Sequence, residues 1–369
     1  MPFSDVTINN TPCRFVIDTG STATTLSIEK ARLLKISEED SVAFANLTGT
    51  VKCVTYSNIR VGFQANEQSL NSCCGADLSS ISNMLGQQVD GLLGIDVLRN
   101  WRISITSGEL AVSRGTNLPA EHALEVPLRR TDTGCPTISV RFPIVGSEQF
   151  LIDTGSNWEL GLSQAMYNEL EDHDLVCEAL STKYGQAGGS VEIKTCILKE
   201  ISIGNVVFRN IPCVIGNVNL IGISLLRHLN VILDMPTSLA YFLPPPRAVV
   251  DEFPLNASGI AFAFVENDVL AVMAVRKMSA GESVGVKTGD LITEVDGRRS
   301  RDMSIQDVLK ALSRNGKTVS LVVQRSTEVI RIDLPLRRSF EYPPKWPEPR
   351  AEIEEFERFL MEEEKRQDR

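Results

Sequence analysis

The chain has 369 residues, of which 43% are hydrophobic, and its formal net charge at pH 7 is −10. This length predicts two or three domains with sizeable cores. The acidic balance argues against nucleic acid as a partner, because nucleic acids are bound by basic surfaces, and no apolar run is long enough to predict a membrane span.

The first chemical signal is the octet FVIDTGST at Phe15–Thr22, which follows a strand-like stretch at Val6–Asn9. A lone Asp-Thr-Gly is also typical of an ordinary turn, since Asp and Gly both favour turns. Here the triplet ends an apolar strand, where burying the Asp18 carboxylate is costly unless it has partners or a chemical role. A helix is predicted after the octet, at Ser27–Leu34.

The octet recurs almost unchanged as FLIDTGSN at Phe150–Asn157, with 153 − 18 = 135 residues between the two aspartates. Further along, LLGIDVLRNWRISI aligns without a gap with LIGISLLRHLNVIL. Two copies of one mostly β unit are therefore predicted, at about residues 1–115 and 125–243. In the second copy we expect a strand at Ile138–Arg141 and a helix at Ser163–Leu170, and in both copies a helix beginning at the Gly-Ile of the aligned segment.

Two copies of one fold predict a pseudo-twofold axis that brings Asp18 and Asp153 together. Two adjacent carboxylates cannot both ionise easily, so they share a proton. The ionised carboxylate can act as a general base on a trapped water, while the protonated one donates to a substrate carbonyl oxygen. This chemistry hydrolyses peptide bonds without a metal and without a covalent intermediate.

Eight cysteines and three histidines form no CxxC motif and no Cys/His cluster, so the sequence predicts no metal site and no cofactor. In the second copy, a Gly-Asn turn signal predicts a hairpin in which Ile203 pairs with Val206. In that register two cysteines lie directly opposite each other, and a cross-strand disulfide and a pair of reduced thiols both fit. The cysteines in question are Cys196 and Cys213, and in the first copy Cys53 with Cys73 or Cys74 brackets a similar turn.

These motifs resemble the retropepsin-like aspartic proteases, in the bacterial form that carries both lobes on one polypeptide. The resemblance covers about residues 1–243 and includes the apolar-apolar-Gly segments around Gly94 and Gly222. It implies that Asp18 and Asp153 are the catalytic dyad. The supporting residues that it implies are Thr19 and Thr154 as a brace under the dyad, Gly20 and Gly155 in tight turns, and Ser21 and Ser156 as hydrogen-bonding partners of the carboxylates.

The resemblance also implies two flaps over the cleft. In the second lobe the flap would contain Gly185, Gly188 and Gly189, and in the first lobe it would lie at Asn46–Gly49, with Gly49 as its glycine. The first-lobe segment is poor in glycine, which departs from the family pattern for a flap that clamps substrate. The first octet lies close to Met1, so we expect an N-terminal strand at the base of the two lobes to be missing or supplied elsewhere.

A different pattern begins after a Pro-rich stretch and resembles a PDZ domain, with VKTGDLITEVDG at Val286–Gly297 as its strongest motif. The resemblance implies a carboxylate-binding loop whose N–H groups hold a peptide end, and a groove between the strand Ala261–Val265 and a helix around Ser304–Ser313. The same apolar side chains equally fit an ordinary core. The implied groove residues are Gly259, Ile260, Ala261, Phe262, Ile305 and Val308, with Leu312 on the same helix.

The predicted fold class is mainly β, with duplicated retropepsin-like (acid protease) lobes and an α+β PDZ domain. The tail reads as a Pro-rich stretch and then a charged helix with a narrow apolar stripe at Ile353, Phe356 and Leu360. The predicted boundaries are 1–116 and 117–243 for the lobes, 244–256 for a stiff Pro-rich linker, 257–337 for the PDZ domain and 338–369 for the tail.

The implied function is an aspartic endopeptidase whose PDZ module binds peptide ends or regulates substrate access. Its partners would be a polypeptide in the cleft and a peptide C-terminus or extended segment at the PDZ groove. One alternative is a non-catalytic peptide-binding or scaffold protein that uses the PDZ domain, and another is a self-processing or single-target regulatory protease. The resemblance implies the bacterial envelope or periplasm if an N-terminal signal was trimmed, and the cytoplasm is expected otherwise.

Overall fold

The structure is a computed structural model that describes residues 2–46, 49–64, 66–106, 109–114, 123–186, 189–244, 248–250, 253, 255–265 and 269–338. The chain is mainly β, with two lobes of matching topology, a sheet shared between them and a C-terminal domain with its own core. The predicted fold class is confirmed. Within the described ranges, no helix is both long and apolar enough to cross a membrane.

The first lobe is a curled sheet flanked by short helices. Its elements are β1 (Phe3–Ile8), β2 (Thr11–Ile17), β3 (Thr25–Ser27), α1 (Ile28–Leu33), β4 (Ser41–Asn46), β5 (Gly49–Phe63), β6 (Asn66–Ala76), α2 (Ser79–Leu85), β7 (Gly91–Leu93), α3 (Ile95–Leu98), β8 (Arg102–Thr106) and β9 (Glu109–Ser113). The order is β1-β2-β7-β3-β6-β5-β4, and because β1 also pairs with β5 the sheet nearly closes on itself.

The second lobe repeats this arrangement. Its elements are β10 (Leu124–Pro127), β11 (Arg129–Arg130), β12 (Pro136–Phe142), β13 (Gly146–Asp153), β14 (Leu160–Ser163), α4 (Gln164–Asp172), β15 (Val176–Gln186), β16 (Gly189–Ile203), β17 (Val206–Gly216), β18 (Leu220–Gly222), α5 (Ile223–Leu226), β19 (Val231–Asp234), β20 (Leu239–Phe242) and β21 (Val249–Val250). The order β12-β13-β18-β14-β17-β16-β15 follows that of the first lobe strand by strand, and β12 pairs with β16 as β1 pairs with β5. The predicted duplication is therefore confirmed in the topology.

The helices predicted after each octet are α1 and α4. Ser27 caps α1 and Ser163 caps α4, each by accepting a backbone N–H of the first turn on its hydroxyl. The helices predicted at the aligned segments are α3 and α5, which begin at Ile95 and Ile223. The sequence did not predict α2, which ends at Gly86 with a φ of 64° in the left-handed region.

A sheet shared by the two lobes forms the base of the molecule, in the order β10-β20-β19-β8-β9. Strand β8 of the first lobe pairs with β19 of the second, which places Ile103 opposite Leu233. Both side chains are fully buried and belong to one hydrophobic core that extends through both lobes. Strands from both lobes thus supply the base, where the sequence led us to expect a missing N-terminal strand.

An ion pair crosses the same seam. Arg102 on β8 lies 2.5 Å from the carboxylate of Asp234 on β19, and the Asp234 side chain is 1% exposed. A carboxylate buried to this degree is costly unless a cation neutralises it. The pair therefore fixes the relative placement of the two lobes.

Part of the predicted linker belongs to the second lobe. Strand β21 pairs in parallel with β17, and Phe253 is 4% exposed in the lobe core, where its ring packs on His228. The prediction of a free-standing stiff linker over residues 244–256 was therefore wrong for this part. Val250 and Phe253 are buried in the lobe, whereas Val249 stays exposed.

The C-terminal domain is a small sheet with its own core. Its elements are β22 (Ile260–Val265), β23 (Val269–Val275), α6 (Ala280–Ser283), β24 (Leu291–Val295), β25 (Arg298–Arg299), a single 3-10 turn (Ser300–Asp302), α7 (Ile305–Leu312), β26 (Thr318–Arg325) and β27 (Glu328–Pro335). The order is β22-β23-β24-β26-β27, so β22 is an edge strand. The predicted helix is α7, where Ser304 and Asp307 form a capping box. The predicted tail helix lies outside the described residues.

The buried ion pair yields a stability prediction. Replacing Arg102 with Met should leave the Asp234 charge unpaired and lower the free energy of unfolding by about 3 kcal/mol. Arg209→Met is the matched control, because Arg209 is 51% exposed in its pair with Glu200 and should cost less than about 1 kcal/mol. Urea unfolding followed by tryptophan fluorescence measures both. Equal small losses in the two variants would show that the lobe seam does not depend on this pair.

Candidate active site

The two Asp-Thr-Gly loops meet between the lobes. Asp18 directly follows β2, and Asp153 ends β13. In each lobe that strand runs parallel to the short strand of the aligned segment, β7 or β18, which explains why both motifs recur together. The side chains of Asp18 and Asp153 are hydrogen-bonded to each other. The structure thus brings together the two carboxylates that the sequence predicted as a pair.

Gly20 and Gly155 are required for a reason that the sequence analysis missed. Neither residue has the positive φ of a tight glycine turn. Instead, a Cβ on Gly20 would lie 2.5 Å from Cγ of Asp153, and a Cβ on Gly155 would collide in the same way with Cγ of Asp18. Each glycine therefore permits the carboxylate of the opposite lobe to approach its backbone.

Thr19 and Thr154 form a reciprocal brace beneath the carboxylates. The N–H of each donates to Oγ1 of the other over 3.1 Å. Each hydroxyl then donates across the interface to a strand carbonyl, Thr19 to Ile152 over 2.5 Å and Thr154 to Ile17 over 2.7 Å. Both threonines are fully buried. The loop of each lobe is thus held by the backbone of the other, as the resemblance implied for these residues.

Backbone N–H groups of the same loops also hold the carboxylates. Gly20 and Ser21 donate to Oδ1 of Asp18 over 3.0 and 3.1 Å. The second loop repeats this pattern around Asp153. Hydrogen bonds from N–H groups favour the ionised carboxylate, so they partly offset its burial.

The hydroxyls of Ser21 and Ser156 have partners other than the carboxylates. Ser21 Oγ donates to the carbonyl of Ala23 over 2.8 Å, and Ser156 Oγ accepts the N–H of Trp158 over 3.4 Å. These hydroxyls stabilise the chain after each loop, and the serine backbone bonds the carboxylate instead. Ser21 and Ser156 therefore do hydrogen-bond the carboxylates, through their N–H groups and not through their hydroxyls.

Burial raises the pKa of both carboxyl groups. Desolvation raises the pKa of Asp18 to about 6, although the Gly20 N–H and the hydrogen bond with Asp153 act against it. Desolvation, followed by the charge of Asp18, raises the pKa of Asp153 well above its usual range. Because the two buried carboxyls lie against each other, the pair holds a single shared proton over the pH range between its two ionisations.

Cys135 borders the site and Glu159 follows the second loop, and the sequence analysis assigned neither residue to the site. Cys135 Sγ lies 3.7 Å from the Gly20 carbonyl oxygen, and burial together with the nearby carboxylates raises the pKa of the thiol to about 11. Glu159 follows the second loop, and burial raises the pKa of its carboxyl to about 7. Neither residue has a counterpart in the other copy of the octet, so a search for repeated residues could not find them.

The predicted flap residues lie at the ends of two hairpins. Gly49 opens β5 and pairs with Asn46 of β4. In the second lobe Gly185 lies near the end of β15, and Gly189 opens β16. Gly188 lies outside the described residues. The hairpins occupy equivalent places in the two lobes, so their use as flaps stays a prediction that fits the topology.

The cysteine predictions divide between the two lobes. The register that places Cys196 opposite Cys213 is confirmed, and both are thiols in this structure, so the bridge itself stays a prediction. The pairing of Cys53 with Cys73 was wrong, whereas the alternative partner, Cys74, lies on the same face of the sheet as Cys53 and stays a prediction. Cys73 lies opposite Tyr56, three residues beyond Cys53, so the two thiols are on opposite faces of the sheet and in different clusters.

Some residues of the predicted PDZ groove are buried in the core, and others keep exposed surface. Ile260 and Val308 are 1% and 0% exposed, so they belong to the core and cannot line an open groove. Phe262 and Ile305 pack on that core and keep part of their surface exposed. Gly259 has a φ of 69° and packs against Ser279. Ala261 is the next residue along the edge strand, and the N–H of Ile260 already donates to Ser258 Oγ over 3.0 Å.

Comparisons with known proteins agree with both halves of this architecture. Residues 4–100 match the family described as gag-polyprotein putative aspartyl protease, and residues 272–325 match the PDZ domain. The first match contains Asp18, whereas Asp153 and strand β22 lie outside the matched ranges. No match was found among curated proteins. The EIAV protease complexed with the inhibitor HBY-793 is similar at 20% identity, with a TM-score of 0.22, over 27% of this chain and 85% of that one.

The threonine brace yields a prediction about the site. Thr154→Val keeps the side-chain volume but leaves the Ile17 carbonyl and the Thr19 N–H without partners, at a cost of at least about 2 kcal/mol in unfolding free energy. Thr154→Ser is the matched control, because its hydroxyl can make both bonds. Thermal unfolding of the two variants measures the difference. A Val variant as stable as the Ser variant would contradict the brace.

The raised pKa values predict the pH dependence of any reaction that needs one proton on the pair. Below about pH 6 both carboxyls are protonated, so kcat/KM should rise as the pH increases through about 6. It should fall again when Asp153 loses the shared proton. A pH profile of peptide cleavage tests this. An acidic limb near 3.8, the usual pKa of an Asp carboxyl, would show that Asp18 is not desolvated.

The same pKa shifts also predict how the free energy of unfolding changes with pH, and this prediction can be tested without an activity assay. A carboxyl whose pKa is higher in the folded state stabilises the fold fully below its unfolded value of 3.8 and loses this contribution as the pH rises through about 6. Wild type should therefore lose stability relative to Asp18→Asn between these pH values. Parallel stability curves for the two proteins would contradict the assignment.

Proposed function

Because the chain joins an aspartyl-protease-like region to a PDZ domain, we propose that it is an aspartic endopeptidase with Asp18 and Asp153 as its catalytic dyad. The observation that supports this best is the crossed packing of the two loops, in which each carboxylate lies against the glycine of the opposite lobe. No purely structural role needs two buried carboxyls in this arrangement, since burying them costs free energy. A site that must hold one proton between two carboxyls does need it.

The proposed reaction assigns a different task to each aspartate. Asp18, which ionises first, takes a proton from a water molecule whose oxygen attacks the carbonyl carbon of the scissile peptide. Asp153 donates its proton to the carbonyl oxygen, which gives a neutral tetrahedral intermediate. That intermediate collapses when the proton now on Asp18 passes to the amide nitrogen, a hydroxyl of the intermediate returns a proton to Asp153, and the C–N bond breaks to release the acid and the amine. Oδ1 of Asp153 is buried and has no hydrogen-bond partner among the described residues.

The proposed substrate is an extended polypeptide. The hairpins β4–β5 and β15–β16 occupy equivalent positions in the two lobes and would cover the substrate as flaps. Main-chain hydrogen bonds with such hairpins would bind an extended chain largely independently of its side chains. The cut sites that the enzyme produces will show which residues it prefers around the scissile bond.

The second proposed activity is capture of a peptide end by the PDZ domain. Strand β22 is an edge strand with unpaired backbone groups, and Phe262 and Ile305 present apolar surface beside it. The loop that precedes β22 contains Gly259 with a positive φ, where a side chain would be strained. These features support a groove for a C-terminal carboxylate followed by an apolar side chain. If the lobes prove inactive, this groove supports the alternative function of a peptide-binding scaffold.

Cleavage of an unfolded protein tests the proposed enzyme. Casein should be cut by wild type, whereas Asp18→Asn and Asp153→Asn should each lower the rate at least about a thousandfold, since either change removes a group of the acid–base pair. Asp132→Asn is the control, because Asp132 is an exposed aspartate outside the site. Gels and mass spectrometry across pH 4 to 8 give rates and cut sites. Equal rates for wild type and both dyad variants would refute the enzyme and leave the scaffold.

A further inference from the structure

Helix α2 of the first lobe contacts the PDZ domain and the second lobe at the same time. It packs against β22, the edge strand of the PDZ sheet, and against β15 and β16 of the second lobe. The second lobe has no described helix at the corresponding place between β17 and β18. The helix is therefore a feature of one copy only, and it lies where the three parts of the chain meet.

The contact with β22 is tight at one point. Gly86, which ends α2, lies against the ring of Phe264, and a Cβ there would be 2.6 Å from Cδ2 of that ring. The φ of Gly86 is 64°, so glycine is required both by the backbone and by the space that the ring occupies. A position constrained in two ways indicates a defined interface between α2 and the PDZ domain.

This interface lies on the peptide-binding side of β22. Ile260, Phe262 and Phe264 alternate along the strand, and all three belong to the PDZ core or pack on it. Gly86 touches the last of them. The end of α2 therefore lies beside the same apolar face that a peptide in the groove would use.

The length of a bound peptide decides whether it meets α2. A peptide whose carboxylate sits at the loop before Ile260 must run antiparallel to β22, because its chain leaves the loop toward Phe264. Strand residues advance about 3.4 Å each, so a peptide reaches Phe264 with its fourth or fifth residue from the end. A shorter peptide leaves the α2 contact intact, and a longer one competes with it.

We propose that a polypeptide with a free, apolar C-terminus displaces α2 from β22 when it binds along the PDZ groove, and that this displacement raises proteolysis by changing the support that α2 gives to β15 and β16. The inference rests on the proposed peptide binding and proteolysis. It makes the PDZ groove a regulatory site for the cleft. It also sets a minimum length of about five extended residues for an activating peptide.

Hydrogen exchange on the full chain tests the displacement without needing activity. The probe is a mixture of octapeptides of random sequence that end in Val, Leu or Phe with a free carboxylate, added to the Asp153→Asn protein so that it is not cut. We expect slower exchange in β22 and exchange about fivefold faster in α2, a coupling at the lower end of the usual range. Tripeptides with the same ends should slow β22 without changing α2, and amidated octapeptides should do neither.

The outcomes separate the inference from the function on which it rests. Slower exchange in β22 with unchanged α2 would overturn the displacement while leaving peptide binding intact. Unchanged β22 with every free octapeptide would overturn peptide binding, and the inference with it, while the casein experiment still decides the protease. Faster exchange in α2 with tripeptides as well would refute the competition at Phe264.

A substitution tests the link to proteolysis. Phe264→Ala removes the ring that holds Gly86, so casein cleavage without peptide should rise about fivefold and should no longer respond to octapeptides. Val329→Ala is the matched control, because Val329 is an exposed apolar residue on β27, at the opposite edge of the PDZ sheet. Exchange protection of β26 shows whether the domain stays folded. A folded Phe264→Ala protein that cleaves casein like wild type would sink the proposal, and an unfolded one leaves the decision to the exchange experiment.

Discussion

The structure depends on the reciprocal contact between two loops from different lobes. Each Asp-Thr-Gly loop is incomplete alone, because the Thr19 and Thr154 side chains find their partners in the opposite lobe. A side chain at Gly20 or Gly155 would collide with the carboxylate of the opposite lobe. The two loops therefore require the lobes to be held in one fixed register. The shared base sheet and the buried pair of Arg102 and Asp234 supply that register at the other end of the interface.

The cost of this arrangement is the burial of two carboxyls, and the surroundings reduce it only in part. Backbone N–H groups favour the ionised forms, while desolvation disfavours them more strongly, so the pKa of both groups is raised. Full neutralisation by a cation would hold both groups ionised and would leave no proton to share. The N–H groups offset only part of the desolvation of the two carboxylates. The pair therefore keeps a proton that it can exchange with a substrate.

The two copies have the same topology but different surroundings, which a fused chain permits and a symmetric dimer does not. In the first lobe Asp96 accepts hydrogen bonds from the N–H and hydroxyl of Thr24, and its aligned partner Ser224 instead donates to the Asn157 carbonyl. Cys135 borders the loop of the first lobe, and α2 is inserted in the first lobe alone. Such differences make the surroundings of the two loops unequal and let one side of the molecule contact the PDZ domain.

Local patterns determined much of this protein from the sequence by itself. The repeated octets predicted two matching lobes and the aspartate pair, because a repeated motif at a strand end has the same surroundings in each copy. Turn chemistry predicted the register of Cys196 with Cys213, and capping serines marked the starts of α1 and α4. The PDZ elements followed from the same kind of short-range pattern.

The tertiary structure decided what depends on contacts between distant segments. The need for Gly20 and Gly155 came from the opposite carboxylate, and the failure of Cys53 to face Cys73 came from the strand register. Burial of Ile260 and Val308, pairing of β21 with β17 and docking of α2 on β22 likewise depend on which surfaces meet. No local pattern encodes these outcomes, because the free energy of each contact belongs to both partners and is set only when the chain has folded.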